Sequence, residues 1–251
     1  MSRLKCWWAS NMGNFRDENQ DQVRAVEYGS RILAAVCDGM GGERCGSKAS
    51  ELAVRELFDR FEAGVRPEMT PDEIRALLIS SVSAANSVVY TTSRMDYRSH
   101  GMGTTAVAAL VEQEWISLVN VGDSRAYMIE DGRIRLLTSD HTVVNALIRE
   151  GKITRAEAAT HPQRNMLTRA VGVERVVKPD YYRFSRREGT ILLLCSDGLS
   201  GYCTAEEILQ TVQAQEQHEA IPQALVNLAL SKGGRDNISL AIITNINEEV
   251  R

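Results

Sequence analysis

The sequence predicts an α+β fold with β-sheet at the centre and pairs of helices outside. Three observations carry that prediction. Two apolar runs of strand length, residues 32–37 and 190–195, end in Asp38-Gly39 and Ser196-Asp197-Gly198. Between them the hydrophobic period turns helical twice in succession, then returns to that of strands. A second helix pair precedes the last strand, and sheets inside helix pairs are the economical packing for that order.

Taken in order, residues 4–9 read as a short strand. The polar loop Asn11-Met-Gly-Asn-Phe-Arg-Asp-Glu-Asn-Gln-Asp21 follows and places Arg16 near Asp21. Residues 22–26 alternate as a strand, 28–30 turn the chain and 32–37 return. These three strands are expected to form an antiparallel meander. Gly39, Gly41 and Gly42 then let the backbone turn tightly behind Asp38. Val54, Leu57, Phe58 and Phe61 mark one face of a helix over residues 47–63. Thr70-Pro-Asp-Glu73 starts the next, with a Thr cap, Pro first and Glu three on. Ile74, Leu77, Leu78, Val82, Ala85 and Val89 continue its apolar stripe to residue 93.

Residues 94–103 read as a loop, and strands follow at 104–111, 115–121, 125–129 and 134–137. Asp131-Gly132 is a hairpin signal between the last two. A helix at 142–150, ended by Gly151, and the capping box Thr154-Arg-Ala-Glu157 make residues 140–169 a polar, mostly helical insertion. Strands at 176–184 and 190–195 come next. Thr204-Ala-Glu-Glu207 caps a helix, 221–230 is another, and the loop Gly233-Gly-Arg-Asp-Asn237 leads into a last strand, 238–244.

Composition narrows the function. A net charge of −4 with interspersed signs disfavours a nucleic-acid binder, which would show a basic face. No apolar run approaches the ~20 residues of a membrane span, and the first residues lack the apolar core of a signal peptide. The five cysteines are odd in number and form no C-x-x-C pair. A soluble, reduced, cytoplasmic protein is the expectation.

The chemistry lies in the acidic loops at Asp21, Asp38, Asp123, Asp197 and Asp236. An Asp-Gly alone is usually a turn. Here Asp38 and Asp197 each end a strongly apolar strand, which suggests carboxylates brought to one spot. Carboxylates at close range repel, and a divalent cation keeps them ionised. The four histidines include no H-x-x-x-H pair, so an oxygen-only site for magnesium or manganese is expected over zinc. A water bridging two such ions could ionise near neutral pH and attack in line. Arg16 suits a phosphate, since its planar fork binds two oxygens. The other role open to it is a surface ion pair with Asp17 or Glu18. His141 reads as a structural hydrogen-bonding residue.

Eight segments, in order over almost the whole chain, resemble the metal-dependent protein phosphatases of the protein phosphatase 2C family, most closely its compact bacterial branch. They are Gly13-Asn-Phe-Arg-Asp-Glu-Asn-Gln-Asp21, Val36-Cys-Asp-Gly-Met-Gly-Gly42, Gly103-Thr-Thr105, Val121-Gly-Asp-Ser-Arg125, Leu137-Thr-Ser-Asp-His141, His161-Pro162, Ser196-Asp-Gly198 and Gly234-Arg-Asp-Asn-Ile238. The resemblance implies one domain over residues 1–251, with two central antiparallel sheets flanked by helix pairs and a flap at 140–169. It implies hydrolysis of phosphoserine and phosphothreonine by a water bridging two Mn²⁺ or Mg²⁺ ions. Asp38, Asp197, Asp236 and the Gly39 carbonyl would be ligands, Asp21 would hold a metal-bound water, and Asp123 would serve a third, weaker ion. Arg16 would bind the substrate phosphate. The implied partners are phosphorylated proteins, a serine/threonine kinase and its substrates among them, and the enzyme is expected to act as a monomer.

The chain departs from the family at the proton donor. Many eukaryotic members carry His where Met40 stands, and many bacterial members carry His where Glu43 stands. A metal-bound water or Glu43 is then the candidate donor to the leaving alcohol. The alternative from another class is a catalytically silent binding or sensing module, whose clear mark would be a lost metal aspartate. None is lost. A metal phosphoesterase for small molecules is a third reading.

Overall fold

The computed structural model describes residues 2–41, 45–95 and 99–247. In chain order the strands and helices are β1 (Ser2–Asn11), β2 (Asp21–Tyr28), β3 (Arg31–Met40), α1 (Cys45–Gly64), α2 (Pro71–Met95), β4 (Gly103–Thr104), β5 (Ala106–Val111), β6 (Trp115–Val121), β7 (Arg125–Glu130), β8 (Arg133–Leu136), α3 (Val143–Arg149), α4 (Arg155–Thr160), β9 (Asp180–Ser185), β10 (Ile191–Cys195), α5 (Asp197–Ser200), α6 (Ala205–Gln213), α7 (Ile221–Ser231) and β11 (Ile238–Asn247). One antiparallel sheet runs β1-β11-β10-β7-β8. The other runs β2-β3-β5-β6-β9, with the short β4 paired to the end of β3.

Three apolar layers hold these elements together. Ile32, Ala34 and Val36 of β3 face Leu192 and Leu194 of β10 between the sheets. Leu33, Ala35 and Cys37, the alternate residues of β3, pack against Leu57, Phe58 and Phe61 of α1 and Leu78 and Val82 of α2. Leu193 and Cys195 of β10 pack in the same way against Ile208 of α6 and Leu225 of α7. Both faces of β3 and β10 are therefore buried, which is why these strands read as unbroken apolar runs. The α+β prediction, with two sheets between helix pairs, is met.

Local signals match the helix starts. Glu73 Oε2 accepts from the Thr70 N–H at 2.7 Å, and Thr154 and Thr204 form full capping boxes with Glu157 and Glu207. Asp131 and Gly132, at φ 50° and 69°, make the hairpin turn between β7 and β8.

Four expectations need correction. β1 is not part of a meander with β2 and β3; it pairs with β11 along its whole length, from Ser2 opposite Asn247 to Asn11 opposite Ile238. Of these three strands only β2 and β3 share a tight turn, whereas the polar loop after Asn11 is long enough to cross between sheets. β3 does not turn at Gly39 but continues to Met40, and the positive φ falls at Gly41 (127°). Asp197 opens the one-turn helix α5 instead of lying in a loop. β9 begins at Asp180, not 176, because the preceding turn is held elsewhere and Pro179 has no N–H for a ladder.

The holder of that turn is Asn86, a fully buried residue of α2. Its Nδ2 donates to the carbonyls of Glu174 (3.0 Å) and Arg175 (3.2 Å), and its Oδ1 accepts from the Gly172 N–H (2.8 Å). Asn86→Ala would leave these groups without partners and should cost about 1–3 kcal/mol. Urea unfolding measures the loss; an unchanged midpoint would show that the turn is held without it.

Candidate metal centre

The ends of the two sheets deliver the aspartates. In the β2–β3 register Asp21 stands directly opposite Asp38. The Asp38 N–H donates to Thr105 Oγ1 at 2.9 Å. Its carbonyl accepts from the Thr105 N–H and from Thr104 Oγ1, both at 2.8 Å. Thr105 Oγ1 lies 2.7 Å from Ser124 Oγ, so the same threonine ties Asp38 to the loop that carries Asp123. Across the cleft, Asp197 starts α5 and Asp236 lies in the loop before β11.

Asp38, Asp123, Asp197 and Asp236 line one cleft of about 580 Å³, together with Arg16, Gly39, Met40, Asn165 and Leu167. Asp21 lies behind them and is almost wholly buried. All five predicted aspartates and Arg16 are thus brought together. Gly39 is required by close approach: a Cβ there would sit 2.0 Å from the Gly46 carbonyl oxygen at the start of α1. Glu43 lies outside the described residues.

Two further residues that build the site, like Thr105, were not singled out from the sequence. Asn237 Oδ1 accepts from the Gln20 N–H (2.8 Å), and its Nδ2 donates to the carbonyls of Met12 (2.9 Å) and Glu18 (3.0 Å). It thereby staples the loop bearing Arg16 to the loop bearing Asp236. Ser196 Oγ donates to Asp21 Oδ2 at 2.7 Å. Both lie inside motifs noted above, next to an aspartate, and that adjacency was the available signal. His141 has the expected structural part: its Nδ1 accepts from the Gly122 N–H at 3.1 Å, while Nε2 faces Asp180 at 3.2 Å.

Burial and mutual repulsion dominate the electrostatics. Burial first, then the charge of Asp197, pushes Asp21 up to about 7 despite its bond from Ser196. Asp123 is likewise pushed up to about 7, by burial and then Asp197. Burial, Asp21 and Asp197 raise Asp38 well above the carboxylate range, and Asp197 is raised by burial and Asp236. Of the two, Asp38 is the more strongly raised, because Asp21, Asp197 and Asp123 all add their charge to its burial.

Among the described residues no three His, Cys, Asp or Glu side chains already converge as a finished ion cage. The donor set nevertheless fits hard divalent cations. Oδ1 of Asp21 and Oδ1 of Asp197 are buried acceptors without a hydrogen-bond partner, and oxygen-only donors suit magnesium and manganese.

Arg16 is where the structure differs most from expectation. Its partner is neither Asp17 nor Glu18 but Asp236: Nε reaches Oδ1 at 2.9 Å and NH2 reaches Oδ2 at 2.8 Å. The guanidinium therefore occupies the carboxylate that a cation at Asp236 would need, and that bond raises the Arg16 pKa.

Two antiparallel sheets between helix pairs, with a carboxylate-lined cleft at the sheet ends and an arginine at its rim, define the class of protein. The chain belongs to the protein phosphatase 2C family, whose model matches residues 16–238. It is 36% identical over 237 residues to the serine/threonine phosphatase stp of Listeria monocytogenes, covering 93% of each chain. It is 39% identical over 236 residues to the serine/threonine protein phosphatase PstP of Mycobacterium tuberculosis, spanning 93% of this chain and 43% of that one. Among solved structures, the S. agalactiae serine/threonine phosphatase superposes with a TM-score of 0.90 at 33% identity, covering 96% of this chain and 99% of that one. The catalytic domain of PstP in complex with two manganese ions superposes at 0.84 with 34% identity, covering 98% and 100%.

Two outcomes are expected. Metal-stripped Arg16→Ala protein should bind Mn²⁺ more tightly than wild type by calorimetry, because a competitor for Asp236 is gone; equal affinities would mean that the pair does not hold Asp236 in solution. His141→Ala should cost about 1–3 kcal/mol through the unpaired Gly122 N–H. Burial lowers the His141 pKa from its ordinary 6.5, with Asp180 opposing. The neutral ring is the one that accepts from Gly122, so its stabilisation is complete above pH 6.5 and is lost as pH falls below it. The urea-measured gap between wild type and His141→Ala should narrow on the acid side, and a constant gap would contradict this.

Proposed function

We propose that this protein is a serine/threonine protein phosphatase that hydrolyses phosphoserine and phosphothreonine esters with the help of bound divalent cations. The observation that carries the reading is the convergence of Asp38, Asp197 and Asp236, from three separate chain segments, on one cleft with Arg16. The names of its relatives and the manganese-bound neighbour support it.

Asp38, Asp197, Asp236 and the Gly39 carbonyl would hold two Mn²⁺ or Mg²⁺ ions, and Asp123 a third. Such ions polarise phosphoryl oxygens and make a water acidic enough to attack at neutral pH. The chain's own residues do the rest. Arg16 presents a planar fork to two phosphate oxygens once it leaves Asp236. Asp21 is locked at Oδ2 by Ser196, which leaves Oδ1 to orient a water or take its proton. Asn237 and Thr105 keep the opposing walls in register. Glu43 would donate the proton to the leaving alcohol.

The substrates would be separate phosphoproteins, a kinase and its targets among them, met in the cytoplasm by a monomer. The net charge of −4 speaks against nucleic acid as substrate. No helix among the described residues is long and apolar enough to cross a membrane, and all five cysteines are free thiols, as a reducing compartment favours.

Phosphate release from a phosphothreonine peptide by metal-stripped protein, titrated with Mn²⁺, tests the reading. Turnover should require the metal, fall by at least about 10²-fold in Asp38→Asn and Asp197→Asn, and show a raised KM in Arg16→Ala. Mn²⁺ binding without turnover would favour a silent binding module instead. Glu43→Gln should slow phosphothreonine more than nitrophenyl phosphate, whose leaving group needs no proton; equal slowing removes Glu43 as the donor.

A further inference from the structure

Beside the carboxylate cleft lies a second hollow of about 350 Å³, whose apolar walls are Met40, Leu167, Ala170, Val173, Val176 and Val177. Met40 and Leu167 line both spaces, so a single wall separates them. Glu174, Lys178 and Arg169 bring charge to the hollow, and Arg169 is paired with Asp180 at 2.7 Å, which leaves one charge of each sign and favours neither an acidic nor a basic guest.

The hollow is built, not left over. Gly103 packs closely against two of its walls: a Cβ there would lie 2.8 Å from Val173 Cγ2 and 2.9 Å from Met40 Cε. Two backbone bonds join Thr104 to Val171, at 3.0 and 2.8 Å. Asn86 clamps Gly172, Glu174 and Arg175 from below. These bonds hold the turn through backbone atoms and Asn86, so the fold does not need valines at its surface. Yet Val173 is 48% and Val176 77% exposed. A fixed, exposed apolar surface next to an active cleft marks a surface that something covers.

We propose that this hollow is a specificity pocket for an apolar side chain of the phosphoprotein substrate, one to three residues from the phosphorylated serine or threonine. The inference rests on the phosphatase reading. A peptide whose phosphate lies with Arg16 and the aspartates runs past the Met40–Leu167 wall. An extended chain advances about 3.3–3.6 Å per residue, so a neighbouring side chain drops over that wall. Burying it gains the transfer energy of its apolar surface and covers Val173 and Val176 as well.

The test compares phosphothreonine peptides with Leu or Asp at each position within three of the phosphorylated residue, with nitrophenyl phosphate as a substrate that cannot reach the hollow. The wild type should show a KM about tenfold lower for Leu than for Asp at one position. Val176→Glu and Val173→Asp should each erase that difference, and Val176→Leu should keep it. Nitrophenyl phosphate turnover should be the same in all of them. The proposal is overturned if no position prefers Leu, if the preference survives both charged variants, or if nitrophenyl phosphate turnover falls in parallel. It is also overturned if Val176→Glu changes only self-association in sedimentation, since the occupant would then be a second copy. If the wild type turns over neither peptide nor nitrophenyl phosphate with Mn²⁺, the phosphatase reading itself has failed.

Discussion

The constraint on which the rest depends is the burial of like charges. Asp21, Asp38, Asp123 and Asp197 are all pushed up, each by loss of water first and by a neighbouring carboxylate next. Burial of this kind is tolerable only with protons, cations or both. In the structure Arg16 answers part of it at Asp236. Arg125 is committed to Asp140 at 2.7 Å, and its charge opposes the rise of Asp123 and Asp197 without cancelling it. A site that stores so much repulsion is poised to take up divalent cations.

The fold tolerates this because the repelling groups are held by neutral hydrogen bonds, not by one another. Thr105, Ser196, Asn237 and His141 fix backbone and carboxylate positions without adding charge. Close approach does the remainder. A Cβ on Gly198 would lie 1.8 Å from the Asn237 carbonyl oxygen, so glycine is what lets α5 and the loop before β11 bring Asp197 and Asp236 to one cleft. Meanwhile the apolar layers make both sheets stiff platforms, whose ends set the aspartates in place. Arg16, on a loop and at the rim, is the part of the site able to change partners.

Much of this was legible in the chain because it is local. Capping boxes, the Asp131-Gly132 hairpin and the apolar stripes of α1 and α2 depend on residues a few positions apart, and each was found where its chemistry said. The aspartates were legible for a related reason, since an apolar strand that ends in a carboxylate is a local conflict. The pairing of β1 with β11 was not legible, because nothing in either strand names a partner at the far end of the chain. Asn86 and Asn237 read as ordinary polar residues until the turn and the loop they hold are seen around them.

By itself, then, the sequence determined the elements, the family resemblance and the set of acidic residues, since periodicity, caps and motif spacing are carried by neighbours along the chain. The tertiary structure alone decided which sheet receives β1, that Arg16 holds Asp236, and that an apolar hollow shares a wall with the carboxylate cleft. Those outcomes depend on side chains as far apart in sequence as residues 16 and 236 meeting in space, where packing and charge select the contacts.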